Sequence, residues 1–116
     1  MSLSQLTFII LTVVALSVGQ ILFKMAATGF EVSTAGFLSS VLNVKLISAL
    51  LVYFFATVMW LLVLRSTPLR VAYPFAALAF FVVPILAHFL LGERISWNTF
   101  AGAGLIAIGV WVSVYQ

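Results

Sequence analysis

Four stretches of this chain, at about residues 6–27, 46–64, 71–91 and 97–115, are continuously apolar. Each has roughly the 20 residues that carry an α-helix across a bilayer core. No water in hydrocarbon satisfies a bare backbone, so a spanning segment is either a helix or a strand of a closed barrel. Barrel strands alternate apolar with polar residues, and these stretches lack that alternation. The expected fold is therefore an all-α integral membrane protein, with residues 1–116 forming one domain of four transmembrane helices. Composition agrees: 66% of the 116 residues are hydrophobic and 6% charged, too few polar side chains to cover a soluble domain. The leader of the first stretch lacks Lys and Arg, and its apolar run outlasts a usual signal-peptide core. It is expected to be retained as a span.

The same composition excludes several kinds of function. Cysteine is absent, which removes disulfides and thiolate metal sites. One histidine, His88, and two acids, Glu31 and Glu93, are too few for a metal cage within one chain. No metal, cofactor, nucleotide motif or covalent chemistry is expected, and the chain is not read as an enzyme. The net charge of +3 comes from basic residues that flank the apolar runs and form no contiguous patch. Membrane lipid head groups, and not nucleic acid, are the expected partners of those charges.

The connections are short except for one. Pro68 ends a helix within Arg65-Ser66-Thr67-Pro68-Leu69-Arg70, and Ser96 is placed to cap the fourth helix after Gly92-Glu93-Arg94-Ile95. Residues 28–45 mix polar residues with Phe30, Phe37 and Leu38, a pattern that admits a short amphipathic helix in the interface. With four helices both termini lie on one side, together with Arg65 and Arg70, while Lys24, Lys45 and Arg94 lie on the other. Two against three does not set an orientation by the positive-inside rule, and dual topology stays open.

Ser17, Gln20 and Lys24 fall three and four residues apart, which lines them along one face of the first helix. No carboxylate lies in that segment, and polar groups in hydrocarbon need a partner, a cavity or an anionic ligand. Lys24 has two readings: it snorkels to the head groups, or it attracts an anion. On the third helix Tyr73, Ala77, Pro84 and His88 approximate one face, and Pro74 and Pro84 each remove a backbone donor, so a kink is expected. Tyr53, Thr57 and Trp60 make a comparable stripe on the second. Both stripes read either as packing or as the lining of a cavity. His88 reads as a hydrogen-bonded residue near the interface, with a proton relay as the other possibility. Gly102 and Gly109, seven apart beside Leu105, Ile106 and Ser113, allow close helix contact, within the chain or in a dimer.

Several of these residues carry a resemblance. Gly19-Gln20-Ile21-Leu22-Phe23-Lys24-Met25-Ala26 resembles the first-helix motif of small four-helix members of the drug/metabolite transporter superfamily. Trp60-Leu61-Leu62-Val63-Leu64, Pro68, Ala72-Tyr73-Pro74, Leu91-Gly92-Glu93-Arg94 and Gly102 through Gly109-Val110 continue it in order. Small multidrug resistance exporters share the layout and work as dimers, exchanging protons for cationic drugs at a first-helix glutamate. Leu16 stands at that position here, and a leucine cannot exchange a proton for a cation. Gly19, Gln20, Lys24, Ala26, Ala72, Tyr73 and Pro74 instead match the pattern of the paired subunits proposed to flip aminoarabinose-phosphoundecaprenol across the bacterial inner membrane.

That resemblance implies a small-multidrug-resistance-like fold, dimeric with itself or with a homologous four-helix subunit, in the bacterial inner membrane. It implies an EamA-like flippase or flippase subunit for a polyprenyl-phosphate-linked sugar, a cargo of lipopolysaccharide modification. Lys24 would attract the phosphate, with Arg70 a second candidate. Gln20, Ser17 and Tyr73 would hydrogen-bond the head, Trp60 would belong to an aromatic wall, and Gly102 and Gly109 would meet the partner. Two alternatives stand beside it: a small-solute or multidrug exporter coupled through another group, and a non-transporting assembly subunit.

Overall fold

Helix α1, Leu3–Thr28, begins at a reciprocal cap: the Gln5 N–H donates to Ser2 Oγ at 3.2 Å and the Ser2 N–H to Gln5 Oε1 at 3.0 Å. Two amide groups that the first turn leaves without partners are thereby satisfied. At 1.5 Å per residue its 26 residues reach about 39 Å, longer than a bilayer core of about 30 Å. The computed structural model describes residues 2–29, 36 and 42–115, and these form helices and no strand. The amphipathic helix expected within residues 28–45 falls on residues outside the described ones.

Helix α2, Val44–Ser66, starts at Asn43, whose Oδ1 accepts from the Lys45 N–H at 2.7 Å. The third span, Leu69–Leu91, is built in two pieces, α3 (Leu69–Ala76) and α4 (Ala79–Leu91). Between them Ala77 N–H reaches the Pro74 carbonyl at 3.1 Å and Leu78 N–H the Phe75 carbonyl at 3.0 Å, the tighter three-residue pattern. The break lies between the two prolines: Pro74 and Pro84 have no N–H for the carbonyls four residues before them, and their rings crowd the preceding turn, which weakens the helix on both sides of it. Gly92 stops α4 at φ 71°, a left-handed conformation that costs other residues strain. Helix α5, Trp97–Val114, follows with Ser96 at its N-cap position. The Ser96 hydroxyl lies 3.3 Å from the Thr99 hydroxyl, while the Thr99 N–H reaches the Ser96 carbonyl at 3.1 Å.

These helices make four spans, each long and apolar enough to cross a membrane. α1 is central. It packs along α2 and touches α3 and α4 on another side, while α5 rests on α3 and α4. The α1–α2 seam consists of small residues at heptad spacing: Thr12, Gly19 and Ala26 on one helix, Ala49, Ala56 and Val63 on the other, all buried. Its register is antiparallel, since Ile9 clusters with Val63 while Gly19 lies against Tyr53. Lipid tails are as apolar as leucine, so close backbone approach and the dispersion contact it allows hold such a pair. Large side chains point outward, among them Phe54, Phe80, Leu105 and Trp111, as a lipid-facing surface requires.

Candidate functional site

The polar face of α1 divides in two. Ser17 is fully buried, and its Oγ donates to the Val13 carbonyl at 2.8 Å. Thr12, equally buried, does the same to the Phe8 carbonyl at 2.8 Å. A hydroxyl that bonds its own helix is satisfied without a ligand, so burial of both is accounted for by packing. Gln20 and Lys24 are exposed. An amide or ammonium cannot fold back onto its own helix in this way, and their polar groups are presented outward.

Gln20 opens onto a cleft of about 300 Å³ whose other walls are Ala79, Phe80, Val83 and Pro84 of α4. Phe80 is shared with a second cleft of about 260 Å³, lined by Tyr73, Pro74, Ala76 and Ala77. The broken third span thus forms a continuous apolar wall with Gln20 on one side of Phe80 and Tyr73 on the other. The proline that disrupts it also matters chemically, because the Phe80 carbonyl finds no N–H at Pro84. One turn from Gln20, Lys24 lines a cleft of about 190 Å³ with Met25, Thr28, Lys45, Leu91 and Glu93. Antiparallel pairing of α1 with α2 brings Lys45 to Lys24, a juxtaposition that sequence reasoning missed. The signal was present in the lysines' placement at the two ends of one connection.

The remaining sequence-expected residues lie elsewhere. Trp60 packs against the Ile9, Val63 and Ala72 cluster near the other end of the bundle. Tyr53 covers Gly19 and tilts against Phe23 with ring centres 5.3 Å apart, so it is a packing residue. Arg70 stands exposed in the first turn of α3, at the end opposite Lys24. His88 Nδ1 donates to the Glu93 carbonyl at 2.8 Å, and its ring meets Phe89 edge-on. It ties down the turn after α4. Among the described residues, nothing beyond the helix's own backbone comes within 4 Å of a methyl placed at Gly102, Gly104 or Gly109, so contacts among those residues do not account for these glycines.

Comparison with known proteins gives the family. No protein-family model matches this chain, and no solved structure matches it. It is 33% identical over 109 residues to a protein of Pectobacterium atrosepticum named "probable 4-amino-4-deoxy-L-arabinose-phosphoundecaprenol flippase subunit ArnE", covering 92% of this chain and 96% of that one. It is 37% identical over 114 residues to a protein of Erwinia tasmaniensis named as the ArnF subunit, covering 90% of each. The chain belongs to the ArnE/ArnF family of flippase subunits. A third relative, named ArnE in Pseudomonas savastanoi pv. phaseolicola, is 28% identical across 80% of this chain and 82% of its own. Members of the ArnE/ArnF family are transporter components and not enzymes.

Proposed function

We propose that this chain is one subunit of an inner-membrane flippase that moves a polyprenyl-phosphate-linked sugar of the aminoarabinose kind, working with a homologous four-helix partner. The observation that carries this reading is the contiguity of three features: the Lys24 cleft, the Gln20 amide one turn deeper, and the greasy wall of the broken third span. Such a cargo has an anionic head and a long apolar tail. Lys24 attracts the phosphate at the membrane edge, where an ammonium interacts strongly with an anion. Gln20 offers both donor and acceptor to the sugar as it leaves water, and Tyr73 receives it beyond Phe80. The tail stays in lipid along Ala79, Val83 and Pro84, so only the head needs a polar path. Arg70 serves a head group at the opposite face. Ser17 and Trp60 hold the helices that shape the path.

Only one side of that path is provided by a single chain, and the clefts are open. The partner subunit supplies the other wall, meeting α5 at Gly102 and Gly109, where none of the described residues outside α5's own backbone comes within 4 Å of an added methyl. Small residues allow that approach.

The test is head-group translocation in reconstituted vesicles, comparing the parent with Lys24→Ala and Gln20→Leu. Both variants are expected to slow flipping by about tenfold or more, the loss of one charge-assisted or buried hydrogen bond. Parental rates and lipid binding in both would refute the proposed path.

A further inference from the structure

We infer that Lys24, Lys45 and Glu93 form one head-group site matched to a zwitterion, in which the lysines take the phosphate and Glu93 takes a cationic amine on the sugar. This deepens the flippase reading above and rests on it. The three residues come from three elements: the last turns of α1, the first turn of α2 and the connection after α4. They line a single cleft of about 190 Å³ whose remaining walls are Met25, Thr28 and Leu91. A site meant only for an anion gains nothing from a carboxylate at its rim, because like charges repel across a partly dehydrated gap. A site meant for a phosphodiester joined to an amino sugar needs one. The charges then match in sign: the two lysines face the phosphodiester, whose oxygens accept from more than one donor, and the one carboxylate faces the amine.

The position of Glu93 is built into the fold. Gly92 turns the chain at φ 71°, the Glu93 N–H donates to the Ala87 carbonyl at 3.2 Å, and His88 Nδ1 donates to the Glu93 carbonyl at 2.8 Å. Both backbone groups of Glu93 are therefore fixed against the end of α4, and the residue lines the cleft from a rigid stop. Among the described residues neither lysine is closed onto Glu93 in an ion pair, which leaves both signs of charge for a ligand. Thr28 Oγ1 donates to the Met25 carbonyl at 2.8 Å and keeps acceptor capacity toward the sugar hydroxyls.

The experiment measures binding of three probes to the full chain in nanodiscs: polyprenyl-phosphate aminoarabinose, its uncharged N-acetylated counterpart, and inorganic phosphate. The parent is expected to bind the free-amine lipid about tenfold or more tighter than the acetylated one, the worth of one charge-assisted hydrogen bond. Glu93→Gln is expected to erase that preference by weakening the free-amine lipid, with the acetylated lipid within about twofold of the parent. Lys24→Gln and Lys45→Gln are expected to weaken both lipids together, and Arg94→Gln, the neighbouring charge outside the cleft, to change neither. A preference that survives Glu93→Gln, or an equal loss for both lipids, overturns the zwitterion site while leaving the flippase reading intact. Inorganic phosphate that competes as well as the lipids overturns it too, since the site is then a general anion site. Failure of the parent to bind either lipid overturns the flippase reading and this inference with it.

Discussion

Gly19 is where the helix pair that carries the site can be broken by one methyl group. A Cβ there would lie 2.9 Å from Tyr53 Cδ2 and 3.7 Å from Tyr53 Cα and Cβ. The ring cannot simply swing aside, because it rests against Phe23 with centroids 5.3 Å apart and planes at 60°. The contact is then relieved by parting α1 from α2 or by forcing Tyr53 off its rotamer, at about 1–3 kcal/mol for overpacking of this size. Against that, alanine recovers up to about 1 kcal/mol of helix propensity over glycine. Gly19→Ala is therefore expected to destabilise the pair by about 1 kcal/mol. In a Tyr53→Ala background the clash is gone and the propensity gain remains, so the same substitution becomes neutral or stabilising by up to about 1 kcal/mol. A double-mutant cycle, read by reversible unfolding in mixed micelles, should return a coupling of about 1–3 kcal/mol. A coupling below about 0.5 kcal/mol would show that the α1–α2 seam does not close at Gly19 as described.

Other substitutions separate packing from transport. Ser17→Ala removes a hydroxyl that bonds only its own helix, while the Val13 carbonyl keeps its backbone partner; stability should fall by less than about 1 kcal/mol and flipping should stay at the parental rate. A large transport loss there would return Ser17 to the cargo path. Pro84→Ala gives the Phe80 carbonyl an N–H again, so hydrogen exchange across residues 80–85 should slow and flipping should slow with it. Unchanged exchange would mean that proline is not what keeps the third span open. A Cβ at Gly102 or Gly109 has open space among the described residues, so Gly102→Ala and Gly109→Ala should leave the stability of the single chain within about 0.5 kcal/mol or raise it, while Gly102→Leu and Gly109→Leu should lose cross-linking to a homologous subunit. A variant that cross-links normally would move the partner's seat elsewhere.

The four spans were legible because their signal is additive over some 20 residues. The break in the third was announced by its two prolines. What single-sequence reasoning could not supply was which helix faces which. A continuously apolar segment has almost no preferred face, so periodicity is silent about packing. Of the two readings open for the stripe on the second helix, packing is the one seen: Tyr53 lies against Gly19 and Trp60, two turns on, against the cluster at Ile9, both on α1. Lys45 and Glu93 stood as flanking charges on separate loops until the antiparallel α1–α2 register and the Gly92 turn carried them to Lys24.

The division of the polar stripe follows from functional-group chemistry. Serine and threonine in a lipid-embedded helix reach their own carbonyls four residues back, and the bonds at Ser17 and Thr12 show it. Their burial is inexpensive, and it suits helix contacts where small volume is what matters. Glutamine and lysine have no comparable retreat: their polar ends lie too far from the backbone that bears them and call for more partners than one carbonyl provides. In a chain whose spans contain no carboxylate, those partners must come from lipid, water or cargo. Of three polar residues on one helix face, the two that cannot satisfy themselves are thus the two that open onto clefts. The same reasoning extends to the opposite rim, where Glu93 is fixed by its backbone and lines the cleft of Lys24 and Lys45. On the proposed reading the packed residues set the shape, and the residues left unsatisfied set what that shape is able to hold.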